Sequence, residues 1–264
     1  MIEAEKQTYE HLLYEGDETI ALVTMNRPKK RNALSLDHMQ ELITCLKAIG
    51  EAGETPVVVL RGNGPGFCAG HDLSEMIGRD PAFYRHLFDV CCELMETIQA
   101  IPQPVIAQVH GIATAAGCQL AATCDLVVAS EDARFATPGV KIGLFCSTPM
   151  VALSRAVDQK KAMEMLLTGE FVSAEEALAE GLVNKVVSAE DLETETRKLA
   201  EKIAEASPLV VGVGKGAFYR QLEMPTEQAY AYTKEVMSFN ATFADAQEGM
   251  CAFLEKRRPE WKGR

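Results

Sequence analysis

The sequence predicts an α/β fold that ends in a helical segment. Three observations carry this: short β-branched runs that read as buried strands, apolar positions at helical spacing between them, and a second half in which helix follows helix. Strands covered by helices on both faces read as continuous apolar runs, and several runs here have that character.

In chain order, Thr19-Ile20-Ala21-Leu22-Val23-Thr24-Met25 is rich in β-formers and ends at Arg27-Pro28. Ser35 is placed to N-cap a helix running to about Gly50. Pro56-Val57-Val58-Val59-Leu60 reads as a strand buried on both faces. Pro81 opens a helix with Phe83, Leu87, Val90, Leu94 and Ile98 on one side. Pro104-Val105-Ile106-Ala107-Gln108-Val109 and Asp125-Leu126-Val127-Val128-Ala129 are further buried strands. From about Ser147 the pattern turns helical. Stretches 162–167 and 174–179 stop at Gly169 and Gly181, and a helix capped by Ser188 or Asp191 runs to Ala206. Helices over 226–239 and 244–256 follow, and Leu182-Val183-Asn184-Lys185-Val186-Val187 is a short strand among them. The expected division is a core over residues 1–200 and a helical segment over 201–264, within the size of one domain.

A formal net charge of −12 over 264 residues argues against nucleic acid or an anionic membrane as partner, since phosphate binding needs clustered Lys and Arg. No apolar run reaches the roughly 20 residues that cross a bilayer. The eight cysteines show no zinc spacing and no C-x-x-C, so no metal is expected, and Cys45, Cys91, Cys92, Cys118 and Cys124 read as small buried hydrophobes in a reducing compartment. Met1-Ile2-Glu3-Ala4-Glu5-Lys6 is acidic where a targeting peptide is basic or apolar; the expectation is a soluble, untargeted, cytoplasmic protein.

Two segments carry chemistry. Gly64-Pro65-Gly66-Phe67-Cys68-Ala69-Gly70-His71-Asp72-Leu73 leaves a strand and enters a helical turn, where free N–H groups are presented. Val109-His110-Gly111-Ile112-Ala113-Thr114-Ala115-Ala116-Gly117-Cys118-Gln119-Leu120 repeats the plan with almost no side-chain bulk. A helix beginning near Ala116 aims its first N–H groups at the strand ends. Two such starts suit a two-donor oxyanion hole.

These stretches, with Met25-Asn26-Arg27-Pro28-Lys29, Asn32-Ala33-Leu34, Cys124-Asp125, Phe135 and Ala162-Met163-Glu164-Met165-Leu166-Leu167-Thr168-Gly169, resemble the crotonase (enoyl-CoA hydratase/isomerase) superfamily over nearly the whole chain. The Gly-His-Asp-Leu loop and Phe135-Ala136-Thr137-Pro138-Gly139-Val140 are most similar to its hydratase domain-containing branch. The resemblance implies a spiral of repeated ββα units with C-terminal helices that trimerise, two trimers stacking as a hexamer. It implies an acyl-CoA thioester as ligand, with coenzyme A part of the substrate and no separate cofactor. The backbone N–H groups of His71 and Ala116 would form the oxyanion hole. Ala69, Asp72, Leu73 and Ser74 would line the pantetheine and acyl channel. Lys29, Lys30 and Arg31 would meet the CoA nucleotide, where a cationic cluster in an acidic protein suits a phosphate-bearing ligand. Phe253 and Lys256 would reach CoA from a neighbouring subunit.

The chain departs from this pattern at the proton chemistry. Hydration by the family uses two glutamates around one water. Their positions hold Gln119 and Gly139. Gln119 can hold a water but cannot take its proton, and Gly139 offers no side chain. Cys146, near a helix start, is a candidate for a favoured thiolate or for pocket wall, and the His71 imidazole is a candidate base. Three functions remain open: enolate stabilisation, as in decarboxylation of a malonyl-type thioester; hydration or isomerisation by an unusual base; and acyl-CoA binding without catalysis.

Overall fold

The computed structural model describes residues 8–263; the segment Met1 to Lys6, on which the reading of an untargeted N-terminus rests, lies outside them. Among the described residues nine strands occur in the order β1 (Leu12–Gly16), β2 (Ile20–Met25), β3 (Val57–Gly62), β4 (Val105–Val109), β5 (Ile112–Thr114), β6 (Leu126–Ser130), β7 (Arg134–Ala136), β8 (Val172–Ser173) and β9 (Lys185–Val187). The larger sheet has the order β1-β2-β3-β4-β6-β9, and a second sheet runs β5-β7-β8. Within the larger sheet only the β1–β2 pair is antiparallel.

Strand period explains how the apolar runs are used. Val58, Leu60, Val105 and Ala107 face the main core beneath the helices Leu36–Ala52 and Pro81–Ala100. Val57, Val59, Ile106 and Val128 face the other way, against Leu192 and Ala200 of the helix Leu192–Ala204. Both faces are dry, so the strands carry no polar alternation.

Ser35 caps the first helix as expected, accepting from the His38 N–H at 3.2 Å. The helix runs past Gly50 to Ala52 and stops at Gly53, which is left-handed with φ 63°. Gly50 is instead a packing residue: a β-carbon there would lie 2.9 Å from Ile101 Cγ2. The strand expected from Leu182 begins only at Lys185, while Leu182 and Val183 turn into the core.

The sequence reading also overlooked the helix Pro208–Leu222. Its Lys215 is buried and bonds the carbonyls of Ile98 and Gln103 at 2.7 and 2.8 Å and the Asp125 carboxylate at 2.7 Å. Tyr219 donates to the other oxygen of Asp125 at 2.8 Å. The helices Thr226–Asn240 and Ala244–Glu255 follow. Asp245, in the first turn of the last helix, clasps the tail that follows it, accepting from Ser207 Oγ and from the Lys262 and Gly263 N–H groups. Among the described residues no helix is long and apolar enough to cross a membrane, and no cluster of His, Cys, Asp or Glu is arranged to hold a metal.

Candidate functional site

The loop after β3 is fixed before it reaches any ligand. Phe67 and Cys68 donate to the carbonyls of His110 and Ile112 at 2.9 and 3.0 Å, and Thr114 donates back to Cys68 at 2.9 Å, so the loop lies along β5. The buried Asn32 carboxamide locks its other side. Its Nδ2 reaches the carbonyls of Asn63, Gly66 and Phe67 at 2.9, 2.9 and 3.1 Å, and its Oδ1 accepts from the Arg27 N–H at 2.9 Å.

Gly70, with φ 90°, then turns the chain so that His71 bridges Leu34. Leu34 donates to Gly70 at 2.7 Å and Asp72 donates to Leu34 at 2.9 Å. In extended backbone successive N–H groups point to opposite sides, so the His71 N–H points away from Leu34 and has no backbone acceptor among the described residues.

The helix Ala116–Thr123 begins beside it. Ala115 adopts φ 51° and ψ −118°, a conformation that costs an L-residue roughly 1–3 kcal/mol, and its N–H is held by the Ala136 carbonyl at 2.9 Å. The N–H of Ala116 is one of the orphan donors of a helix start. A β-carbon placed on Gly70 would lie 3.3 Å from the Ala116 nitrogen, and one on Gly117 would strike the Cys68 carbonyl. The two segments therefore touch, and only glycine fits where they do.

His71 and Ala116 open on one cavity of about 400 Å³, a size usual for small-molecule sites. Ala69 and Leu73 share its wall, as do Gly139 and Cys146. Met76, Phe88, Ile142, Leu144 and Phe145 complete much of it; none was singled out from sequence as a site residue. Among the described residues no carboxylate lies in the wall, and its charged side chain, Lys141, is paired with Glu170 at 2.7 Å.

Asp72 and Ser74 stand apart from this wall. Asp72 caps the helix Leu73–Met76 and pairs with Arg27 at 3.0 Å and Lys30 at 3.8 Å. Burial raises its pKa, but the Ser74 hydroxyl, Arg27 and the Ser74 N–H together outweigh this and hold the carboxyl below its ordinary range. Gln119 also lies outside the wall: it is buried, and its Oε1 faces the Cys91 thiol at 3.8 Å. Gly139 meets the turn that follows it. Leu144 donates to the Gly139 carbonyl at 2.9 Å, and a β-carbon on Gly139 would collide with the Leu144 carbonyl oxygen and lie 2.8 Å from Cys146 Sγ.

Burial pushes the Cys146 thiol up, so the favoured thiolate expected near a helix start does not arise. Burial likewise pushes the His71 imidazole down to about 4, leaving it neutral at pH 7. Its ring packs edge-to-face on Phe88 with centroids 5.5 Å apart. Lys29 and Arg31 are exposed on either side of Lys30, and Lys30 leans toward Ser74 Oγ at 3.4 Å. Phe253, 83% exposed, and Lys256, at the end of the last helix, do not line the cavity within one chain.

The fold is α/β, with an apolar cavity where its strands give way to helix starts. The model of the enoyl-CoA hydratase/isomerase family matches residues 15–264, and the chain belongs to that family, the crotonase superfamily. It is 48% identical over 240 residues to the mitochondrial enoyl-CoA hydratase domain-containing protein 3 of Rattus norvegicus, covering 90% of this chain and 80% of that protein. The solved enoyl-CoA hydratase of Mycobacterium smegmatis superposes with a TM-score of 0.93 at 50% identity, over 95% of this chain and 98% of that one. The human enoyl-CoA hydratase domain-containing protein 3 gives 0.92 at 45% identity, over 96% and 100%.

These relatives correct one expectation. The rat, frog and human relatives, at 47–48% identity, are named as mitochondrial proteins, which overturns the cytoplasmic assignment drawn from the acidic N-terminus.

Proposed function

We propose that the chain binds an acyl-CoA thioester and stabilises the enolate of its carbonyl through the N–H groups of His71 and Ala116, without two-carboxylate hydration. One observation carries this reading: two N–H groups without acceptors among the described residues open on an apolar cavity whose wall holds no carboxylate. Preorganised donors aimed at developing negative charge are the largest single source of rate in such sites, and in a dry pocket they act at low dielectric. Enolate formation draws on that stabilisation; water addition also needs a base, which neither Gln119, turned to Cys91, nor Gly139 supplies.

In the same reading, Lys29, Lys30 and Arg31 take the CoA phosphates. Phe253 and Lys256 complete the nucleotide site of a neighbouring copy in a trimer or a stacked pair of trimers. Their position away from the cavity of their own chain supports that arrangement.

The test is incubation with crotonyl-CoA and malonyl-CoA under mass detection, alongside calorimetry with a saturated acyl-CoA. The expected result is thioester binding with crotonyl-CoA hydration at least ~10²-fold slower than in a two-glutamate hydratase. Hydration at the full rate, or no binding of any thioester, would reject the proposal. Loss of CO2 from malonyl-CoA would name the reaction that uses the enolate.

A further inference from the structure

The turn that closes over Gly139 also builds one side of the cavity. Gly143 is left-handed with φ 77°, and its N–H reaches the Val140 carbonyl at 3.3 Å. Together with the bond from Leu144 to Gly139, this projects Ile142, Leu144 and Phe145 into the cavity wall. Their fractional exposures are 61%, 43% and 40%, unusual for large apolar side chains held in one turn. Leu73, itself 47% exposed, Met76 and Phe88 also line the cavity, from the loop and helices after β3. The apolar surface left open to water is thus continuous with the cavity that holds the two free N–H groups.

We infer that Ile142, Leu144 and Phe145 are specificity-determining residues that select an extended apolar acyl chain, the turn taking the space of a second acid and turning it into acyl-binding wall. The inference rests on the reading of the site as an acyl-thioester site. A short acyl group anchored at the His71 and Ala116 N–H groups would leave this surface wet, whereas a longer chain covers it. Lys141, the charged side chain of the wall, pairs with Glu170 at an exposed position, while Ile142, Leu144 and Phe145 offer a terminal carboxylate no partner. Each methylene moved from water onto such a surface gains about 0.8 kcal/mol, which is about fourfold in Kd.

The experiment is calorimetric titration of the full chain with acetyl-, butanoyl-, hexanoyl-, octanoyl- and decanoyl-CoA, in the wild type and in Ile142→Ser and Phe145→Ser. The quantity read is the ratio of successive Kd values, so a general loss of affinity does not enter. The expected result is an improvement of about fourfold per methylene from butanoyl to octanoyl, falling below about twofold per methylene in both variants. Equal affinity for all five thioesters overturns this inference and leaves the acyl-thioester site standing. Failure of every thioester to bind removes both. A wild-type slope unchanged in the variants, with a shift in sedimentation, also overturns it and assigns the apolar turn to contact between copies of the chain.

Discussion

The carbonyl oxygen of Leu144 occupies the space that a side chain at Gly139 would need. A larger residue at 139 is therefore excluded by backbone, not by a movable side chain, unless the turn that follows shifts. Gly139→Ala is expected to lower stability by about 1–3 kcal/mol through overpacking, read as a lower urea midpoint. Gly139→Glu, alone or with Gln119→Glu, is expected not to create crotonyl-CoA hydration. Recovery of hydratase activity in the double variant would mean that the turn can open at little cost.

Asn32 ties the loop after β3 to the turn at Arg27 through four hydrogen-bond contacts. Asn32→Leu strands buried carbonyls, at about 1–3 kcal/mol each where no replacement donor arrives. The expected loss is roughly 3 kcal/mol in urea unfolding. The variant should also lose acyl-CoA affinity by a larger factor than Thr44→Ala, a change on an exposed helix face that removes only a local bond to Gln40.

Acid should destabilise the chain well above the carboxylate range. His38 is fully buried, with Nδ1 on the Ala33 carbonyl at 3.2 Å, and burial pushes its pKa down to about 3. Between pH 6.5 and about 3 the unfolded chain takes a proton that the folded chain refuses, so stability falls as pH falls through that window. At 1.36 kcal/mol per unit, the drop from pH 7 to pH 5 is roughly 2 kcal/mol for His38. His71, shifted the same way to about 4, adds to the effect. Urea titrations at the two pH values should show it, and His38→Gln should flatten the dependence. A wild type equally stable at both would refute the assignment.

Cys146 should behave as wall rather than nucleophile. With its thiol buried and its pKa raised, iodoacetamide at pH 7.5 should label it far more slowly than in urea-unfolded protein, as read by peptide mass. Cys146→Ser should leave any thioester turnover within about tenfold of wild type. Abolition of turnover would restore a covalent role.

The parts of the fold legible in the sequence were those in which one residue's chemistry decides the outcome locally. Val57-Val58-Val59-Leu60 reads as strand because both faces are buried, and Ser35 reads as a cap because its hydroxyl meets a helix start. β1 was missed because Leu12-Leu13-Tyr14-Glu15-Gly16 is a half-exposed edge without alternation. The helix Pro208–Leu222 was missed because Gly212, Gly214 and Gly216 break the apolar period, and a buried lysine supplies the anchoring that periodicity would have announced. At the site, the helix start at Ala116 was legible from its lack of bulk. The collapse of the 143–146 turn onto Gly139 was not, since it depends on where two backbone segments meet. The same holds for Gln119, whose orientation toward Cys91 is set by packing between two helices.

The pair made by Asp125 and Lys215 has a consequence for how the chain comes into being. The Asp125 carboxylate accepts the Val105 N–H at 2.6 Å, at the start of the interior strand β4, while its counter-charge lies in a helix much later in the chain. Without that helix the Asp125 carboxylate has lost its cation, and removing one partner of a buried pair costs about 3–5 kcal/mol. A chain that ends before residue 215 thus carries an uncompensated charge against β4, and the sheet is expected to reach full stability only once the helix Pro208–Leu222 is in place.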